Sequence, residues 1–295
     1  MRKYFIIIPI LILVYFLSDK DNSSIKTENK RIETDNLIVN MSNYGLENIL
    51  LSEYLNGVIA CEMPALFHDE AIKAGIVAAR TFYLYKYESD NDYKPSNGDQ
   101  CFFSESKRKE NWRDNYELYN EKILNNINLT KNEVITYNGS VIKAFYFSMS
   151  NGYTEDAVNV FKKSEPYLVS VISDYDKDVK NNLSSKSISV NEFKEKLNVD
   201  NDIVINNIVR DSSNRVSEIV INNVNYDGVY FRKLFDLRST DFEIEFNDQE
   251  VIITTRGYGH GVGMSQWGAN EMAKMGYKYK DILKYYYKDV EIMYK

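Results

Sequence analysis

Glu62 is the residue of this 295-residue chain best placed for proton chemistry. It stands between Cys61 and the pair Met63–Pro64, with Val58, Ile59 and Ala60 just before it. A carboxyl group set among apolar side chains loses water, and desolvation raises its pKa, so such a group can act as an acid near neutral pH. Two further stretches gather polar groups beside glycines. FSMSNGYTED, residues 147–156, offers hydroxyls, an amide and carboxylates at a strand end, in the kind of loop where functional groups collect. RGYGHGVGMSQWGANEMAKMGY, residues 256–277, alternates Gly257, Gly259, Gly261 and Gly263 with Tyr258, His260, Val262 and Met264. That alternation lets the backbone be approached closely on one side and presents His260 on a glycine-lined strand or turn. It is not a phosphate loop, because no Lys-Ser/Thr comes after it and no second βαβ unit supplies an acidic residue.

The elements that must hold these residues are legible from periodicity. Helical spacing runs from Leu46 through Ile49, Leu50, Tyr54 and Val58 into Glu62, and again through Ala71, Ile72, Ile76, Ala79 and Tyr83, with Asp69 as the expected N-cap. Arg80 lies at the edge of that second stripe, where a guanidinium needs a carboxylate. On the residues alone, a structural ion pair between Glu62 and Arg80 is the simpler reading. Leu37, Val39 and Met41 alternate as a strand, whereas 88–118 is polar and reads as a surface loop. Val134, Ile135 and Tyr137, then Asn138–Gly139, then Val141, Ile142, Ala144 and Tyr146 read as a hairpin, since both turn positions need positive φ. Ser189 and Glu192 suit a capping box. Strand-like runs come next at 203–209, 216–221 and 242–246, in a segment (about 180–250) that could form a second lobe. Together these predict an α+β fold of mixed helices and antiparallel strands, with room for two lobes flanking a cleft. Residues 147–155 and 256–266 should converge on Glu62 to line that cleft, because separate polar loops make sense if they share a ligand.

Composition bounds the partners. With 44% hydrophobic and 27% charged residues the chain is globular, and it has ample apolar material for a core. A net charge of -7 disfavours nucleic acid, whose binding needs basic surface. Twenty-four tyrosines suit a groove that holds sugar faces, since the ring is amphipathic. Cys61 and Cys101 make neither a disulfide framework nor a metal knuckle. At the N-terminus, Arg2 and Lys3 precede an uncharged run from Tyr4 to Ser18. Its length of about 22 Å favours a cleaved signal peptide over a full span. The absence of a small-x-small site after it favours an uncleaved signal anchor over 1–18. Anchoring is the expectation adopted: a single-pass membrane protein with Arg2 and Lys3 cytoplasmic and the domain outside. Residues 19–36 read as a polar tether, which leaves 37–295 for the folded domain.

Six ordered blocks resemble the stage II sporulation protein D family, whose domain is shared with the amidase-enhancer protein. They are YLNGVIACEMP (54–64), EAIKAGIVAART (70–81), SMSNGYTED (148–156), PYLVSV (166–171), FRKLFDLRSTDF (231–242) and RGYGHGVGMSQWGA (256–269). The resemblance implies a lytic transglycosylase that cuts the MurNAc–GlcNAc glycan of peptidoglycan, preferably after the stem peptides are removed. It puts Glu62 at the family's catalytic acid, which overturns the simple ion-pair reading. It also implies work in engulfment at the mother-cell membrane, alongside stage II sporulation proteins P and M. Residues expected to orient sugars or hold Glu62 are Arg80, Ser148, Tyr153, Tyr258, His260, Ser265 and Gln266. The chain departs from the family at Cys61, where alanine is usual, and at Phe147, where histidine is common. Of the His/Cys metal cluster some members carry after the central helix, Cys101 alone remains, so a four-ligand zinc site would also need Cys61, His68 and His260. No metal or other cofactor is expected.

Overall fold

The computed structural model describes residues 33–295. Strands β1 (Ile38–Val39) and β2 (Ile49–Leu50) pair antiparallel and deliver the chain into helix α1, Leu51–Glu62. Its buried positions include Leu51, Tyr54, Leu55, Val58 and Ile59, so nearly every turn contributes to the core. Helix α2, Asp69–Ser89, runs through the centre of the molecule. Alanines at 71, 74, 78 and 79 keep it slim, and neighbouring helices close on it from several sides. His68, rather than Asp69, caps it: the Glu70 N–H donates to His68 Nδ1 at 3.2 Å. Asp69 instead accepts from Asn126 at 3.1 Å.

The polar stretch expected as a loop contains helix α3, Glu105–Trp112, and the start of helix α4, Tyr116–Leu129. Helix α3 buries only Arg108, so it carries no apolar period for the sequence to reveal. Ser104 caps it, and Lys109–Glu105 and Lys107–Glu110 pair along its surface. Strands β3 (Glu133–Tyr137) and β4 (Ser140–Val141) form the expected hairpin on Asn138–Gly139, with φ of 49° and 78°. The hairpin is shorter than its apolar pattern suggests. Beyond it, β5 (Tyr146–Phe147) leaves to pair elsewhere, while β6 (Gly152–Tyr153) precedes helix α5 (Ala157–Phe161) and pairs with β7 (Ile172–Ser173).

From β8 (Leu183–Ser189) onward a second hydrophobic cluster forms. Ser189 caps helix α6, Val190–Leu197, by accepting from the Glu192 N–H at 3.1 Å. Strands β9 (Ile205–Arg210), β10 (Val216–Ile221) and β11 (Val224–Asp227) make one antiparallel sheet. Helix α7, Gly228–Leu234, then leads to β12 (Phe242–Phe246) and β13 (Glu250–Arg256), which form a sheet with β8. Phe193, Phe231, Phe235 and Phe242 fill the space between these layers. The chain returns to the main core through β14 (Met264–Ser265), helix α8 (Gln266–Lys274) and helix α9 (Tyr279–Tyr286). It ends on β15 (Glu291–Tyr294), which pairs with β3. The fold class is α+β, with antiparallel sheets and one parallel pair, β5 with β14, among the described residues.

Two expectations for the N-terminal region need correction. Thr34 and Asp35 are buried in a 3-10 turn, so the folded domain takes in the last residues assigned to the tether. Among the described residues no helix is long and apolar enough to cross a membrane. The single-pass assignment therefore has no support, and the segment 1–18 on which it rested lies outside the described residues.

A candidate active site around Glu62

Glu62 is the last residue of α1 because Met63 and Pro64 come directly after it. Proline disfavours the helical region for the residue before it, and Met63 is extended, with φ -128° and ψ 137°. The carboxyl thus sits at a helix C-terminus, where the helix dipole disfavours negative charge. Ile59, Met63, Tyr146 and Met264 wall the recess beside it. Burial raises the Glu62 pKa, and two hydrogen bonds to the carboxylate act against that rise. The Cys101 N–H donates to Oε1 at 2.7 Å, and Gln266 Nε2 donates to Oε2 at 3.5 Å. The result is a carboxylic acid with raised proton affinity that still has donors ready for its ionised form.

Gln266 reaches Glu62 because the first residue of α8 is anchored from below. Strands β5 and β14 pair in parallel, Tyr146 with Met264 and Phe147 with Ser265. Gly263 makes this approach possible: its φ is +80°, and a Cβ there would lie 2.0 Å from the Phe145 carbonyl oxygen. Ser265 caps α8 by accepting from the Gly268 N–H at 3.1 Å, and its hydroxyl donates to Asp176 Oδ2 at 2.7 Å. The same Asp176 oxygen accepts from the Ser150 N–H at 2.8 Å. Asp176 therefore joins both polar loops beneath the site, and it is fully buried. Burial raises its pKa, with Ser265 and Ser150 opposing the rise. Sequence reading missed Asp176, which sits in an unremarkable polar run; the cluster of hydroxyls at 148, 150 and 265 was the available signal.

Of the residues expected near Glu62, Gln266 touches it, and Ser265 and Ser148 meet one step behind, where the Ser148 carbonyl accepts from the Trp267 N–H at 3.1 Å. Arg80 belongs elsewhere. It is fully buried, and its Nε and Nη2 clasp Asp35 Oδ1 and Oδ2 at 2.5 and 3.0 Å, while Nη1 donates to the Glu133 carbonyl at 3.2 Å. An ion pair with Glu62 and a role in sugar binding are both replaced by this structural clamp. His260 packs among Phe145, Phe147 and Phe161, with ring centroids 5.6–6.0 Å away. Side chains alternate along an extended chain, so His260 lies on the face of β5 opposite Tyr146 and the recess. Its Nδ1 accepts from the Val262 N–H at 3.0 Å. Burial, then Arg232 and Arg215, push its pKa down to about 3, so the ring is neutral. Tyr153 and Tyr258 are both exposed, and the Arg238 guanidinium stacks 4.4 Å above the Tyr258 ring.

The cysteines also correct the sequence reading. Cys61 and Cys101 form a disulfide, with Cα atoms 5.6 Å apart. With both thiols spent on each other, His68 capping α2 and His260 behind β5, the four residues a zinc site would need do not converge. Among the described residues no group of three His, Cys, Asp or Glu side chains is arranged to hold a metal.

A protonatable carboxyl at a helix end, beside an apolar wall and two amide donors, is an arrangement able to give up and take back a proton. Comparison with known proteins gives the lineage. The family model described as Stage II sporulation protein matches residues 42–137, the stretch that holds Glu62 and both cysteines. The chain is 40% identical to stage II sporulation protein D of Bacillus amyloliquefaciens, over 85% of this chain and 76% of that protein. It is 35% identical to the Bacillus subtilis (strain 168) protein of the same name, over 97% of this chain and 92% of that one. It is 29% identical to the amidase enhancer of Bacillus subtilis (strain 168), over 79% of this chain and 39% of the relative. The chain belongs to the stage II sporulation protein D family.

Proposed function

We propose that this sporulation-family protein is a peptidoglycan lytic transglycosylase with Glu62 as its acid and base. The observation that carries the reading is the Glu62 carboxyl itself, raised in pKa by burial and facing hydrogen-bond donors suited to its ionised state. Most glycosidases need two carboxylates, one acid and one base or nucleophile. Glu62 is the carboxylate among the described residues lining this recess, and a single group suffices when the substrate supplies the nucleophile. Protonated Glu62 gives its proton to the oxygen of the leaving GlcNAc as the glycosidic bond breaks. The resulting carboxylate takes the proton of the MurNAc C6 hydroxyl, whose oxygen bonds to C1 and closes the 1,6-anhydro ring. Glu62 ends protonated, ready for the next bond.

The substrate in this reading is glycan already stripped of stem peptides, and the work falls in engulfment alongside stage II sporulation proteins P and M. Mass spectrometry of denuded glycan after incubation with the protein tests it: 1,6-anhydro-MurNAc ends are expected from the wild type and not from Glu62→Gln. The similarity to an amidase enhancer favours a second reading, a glycan-binding scaffold that stimulates an amidase without cutting. Intact glycan with wild-type protein, together with faster stem-peptide release by an added cell-wall amidase, would establish that one instead.

A further inference from the structure

The loop that supplies the Cys101 N–H is fixed to an unusual degree for a surface connection. Gln100 is buried; its Oε1 accepts from the Tyr54 hydroxyl at 3.3 Å, and its Nε2 donates to the Tyr146 hydroxyl at 2.9 Å. The Gln100 carbonyl accepts from the Tyr44 hydroxyl at 3.3 Å. That carbonyl and the Cys101 N–H belong to one planar peptide unit, so holding the first aims the second at Glu62 Oε1. On the far side of Cys101, the Phe103 N–H donates to the Gly57 carbonyl at 3.0 Å. A Cβ on Gly57 would come within 2.2 Å of the Phe102 ring, so α1 carries a glycine where the loop presses against it. The disulfide completes the arrangement. One of its cysteines is the chain neighbour of Glu62, and the other provides the donor.

We propose that the Cys61–Cys101 disulfide is a positioning device that holds the Gln100–Cys101 peptide N–H on Glu62, and so sets the proton affinity of that carboxyl. The inference rests on the reading of Glu62 as the acid and base. A donor to the ionised carboxylate stabilises it against burial. A group that must release a proton in one step and recover one in the next needs that balance, because general catalysis is most effective when the pKa lies near the working pH. The titratable groups that face Glu62 are the Tyr44 and Tyr146 phenols, both raised in pKa chiefly by burial and both feeling the Glu62 charge. They stay neutral, which leaves the two amide donors to oppose burial. With the disulfide opened the N–H drifts, the proton is held more tightly, and the leaving oxygen is protonated less readily. Cys61 and Cys101 are both only half-buried, so a small thiol can reach the bond.

The test uses the full chain in three forms: oxidised, reduced with dithiothreitol, and Cys61→Ala/Cys101→Ala. Dithiothreitol closes to its own cyclic disulfide as it delivers two electrons and two protons to the protein's. Glu62 is titrated by 13C NMR of carboxyl-labelled glutamate, its signal assigned by loss in Glu62→Gln. In the reduced and double-alanine forms its midpoint should rise. The alkaline limb of the pH–rate profile should move to higher pH, kcat should fall roughly tenfold to a hundredfold, and KM should hold. Reoxidation with diamide should restore the reduced wild type. A merely structural bond would lower activity and melting temperature without moving either titration. Peptide mapping that finds free thiols in the native protein, or an unchanged Glu62 midpoint once the bond is open, overturns the proposal. If the double variant does not fold, wild type reduced under native conditions gives the same comparison. A shifted midpoint with no anhydro products from any form would refute the transglycosylase reading and leave this one standing.

Discussion

Glu62 is where charge, burial and covalent neighbourhood meet, and its raised pKa has two measurable consequences. In its proposed role as the acid it must be protonated, so glycan cleavage should be lost as pH rises through its folded-state pKa, which lies above the ordinary glutamate value. For stability the sign is the same. The folded state holds this proton more tightly than the unfolded one, so the contribution is full below the unfolded pKa and lost as pH rises through the folded one. Glu62→Gln keeps the shape and cannot carry the proton. It should lower anhydro-product formation by about 10²–10⁴-fold and flatten this part of the melting-temperature profile, as scanning calorimetry at mildly acid and neutral pH would record. Arg80→Ala makes a contrast. It strands the buried Asp35 carboxylate, so chemical denaturation should show a loss of about 3–5 kcal/mol, the usual cost of breaking a buried pair. Retention of stability in that variant would show that Asp35 finds water or another partner.

At the scale of elements, the site depends on the register of α8 against β5. Asp176 holds that register by accepting from Ser265 and Ser150 together. Asp176→Asn keeps the volume but weakens two charge-assisted bonds, each worth about 1.5–3 kcal/mol. Gln266 should then lose its place on Glu62, with kcat falling more than glycan affinity in paired turnover and pull-down assays. Unchanged kcat in a folded variant would place the control of Gln266 elsewhere. Gly263→Ala is harsher, since the new Cβ meets the Phe145 carbonyl and the backbone needs φ +80°. Loss of the β5–β14 pair should result, read as deprotection of their amides in hydrogen exchange.

At the scale of the whole molecule, the described residues form two hydrophobic clusters, one around α2 and one among the phenylalanines of 188–253. Its N-terminal edge is the less obvious part. The Thr34 N–H donates to the Lys295 carbonyl at 3.4 Å, and Asp35 neutralises Arg80 at the centre of the fold. A chain beginning at residue 37 lacks both. It should unfold at a lower denaturant midpoint than one beginning at residue 33, its unfolding free energy reduced by about the same 3–5 kcal/mol as loss of the ion pair from the other side. Equal midpoints for the two chains would show that the turn at 34–36 accompanies the fold without supporting it.

Local patterns along the chain were enough to establish the α+β class, the two central helices, the Asn-Gly hairpin, the family and the apolar setting of Glu62. They rest on short-range physics: helical and alternating periods, a proline that ends a helix, glycines that permit positive φ, and ordered motifs. The surface helix α3 escaped because it buries one side chain and so leaves no periodic trace. The pairings that make the site emerged with the packing of distant segments. The Cys101 donor lies 39 residues from Glu62, the Asp35 partner 45 from Arg80, and Asp176 89 from Ser265. A buried guanidinium announces that it needs a carboxylate, and a cysteine that it could be paired. Which partner each one meets, and on which face of β5 His260 falls, depends on how helices and strands far apart in the chain pack around one another, and no local period encodes that.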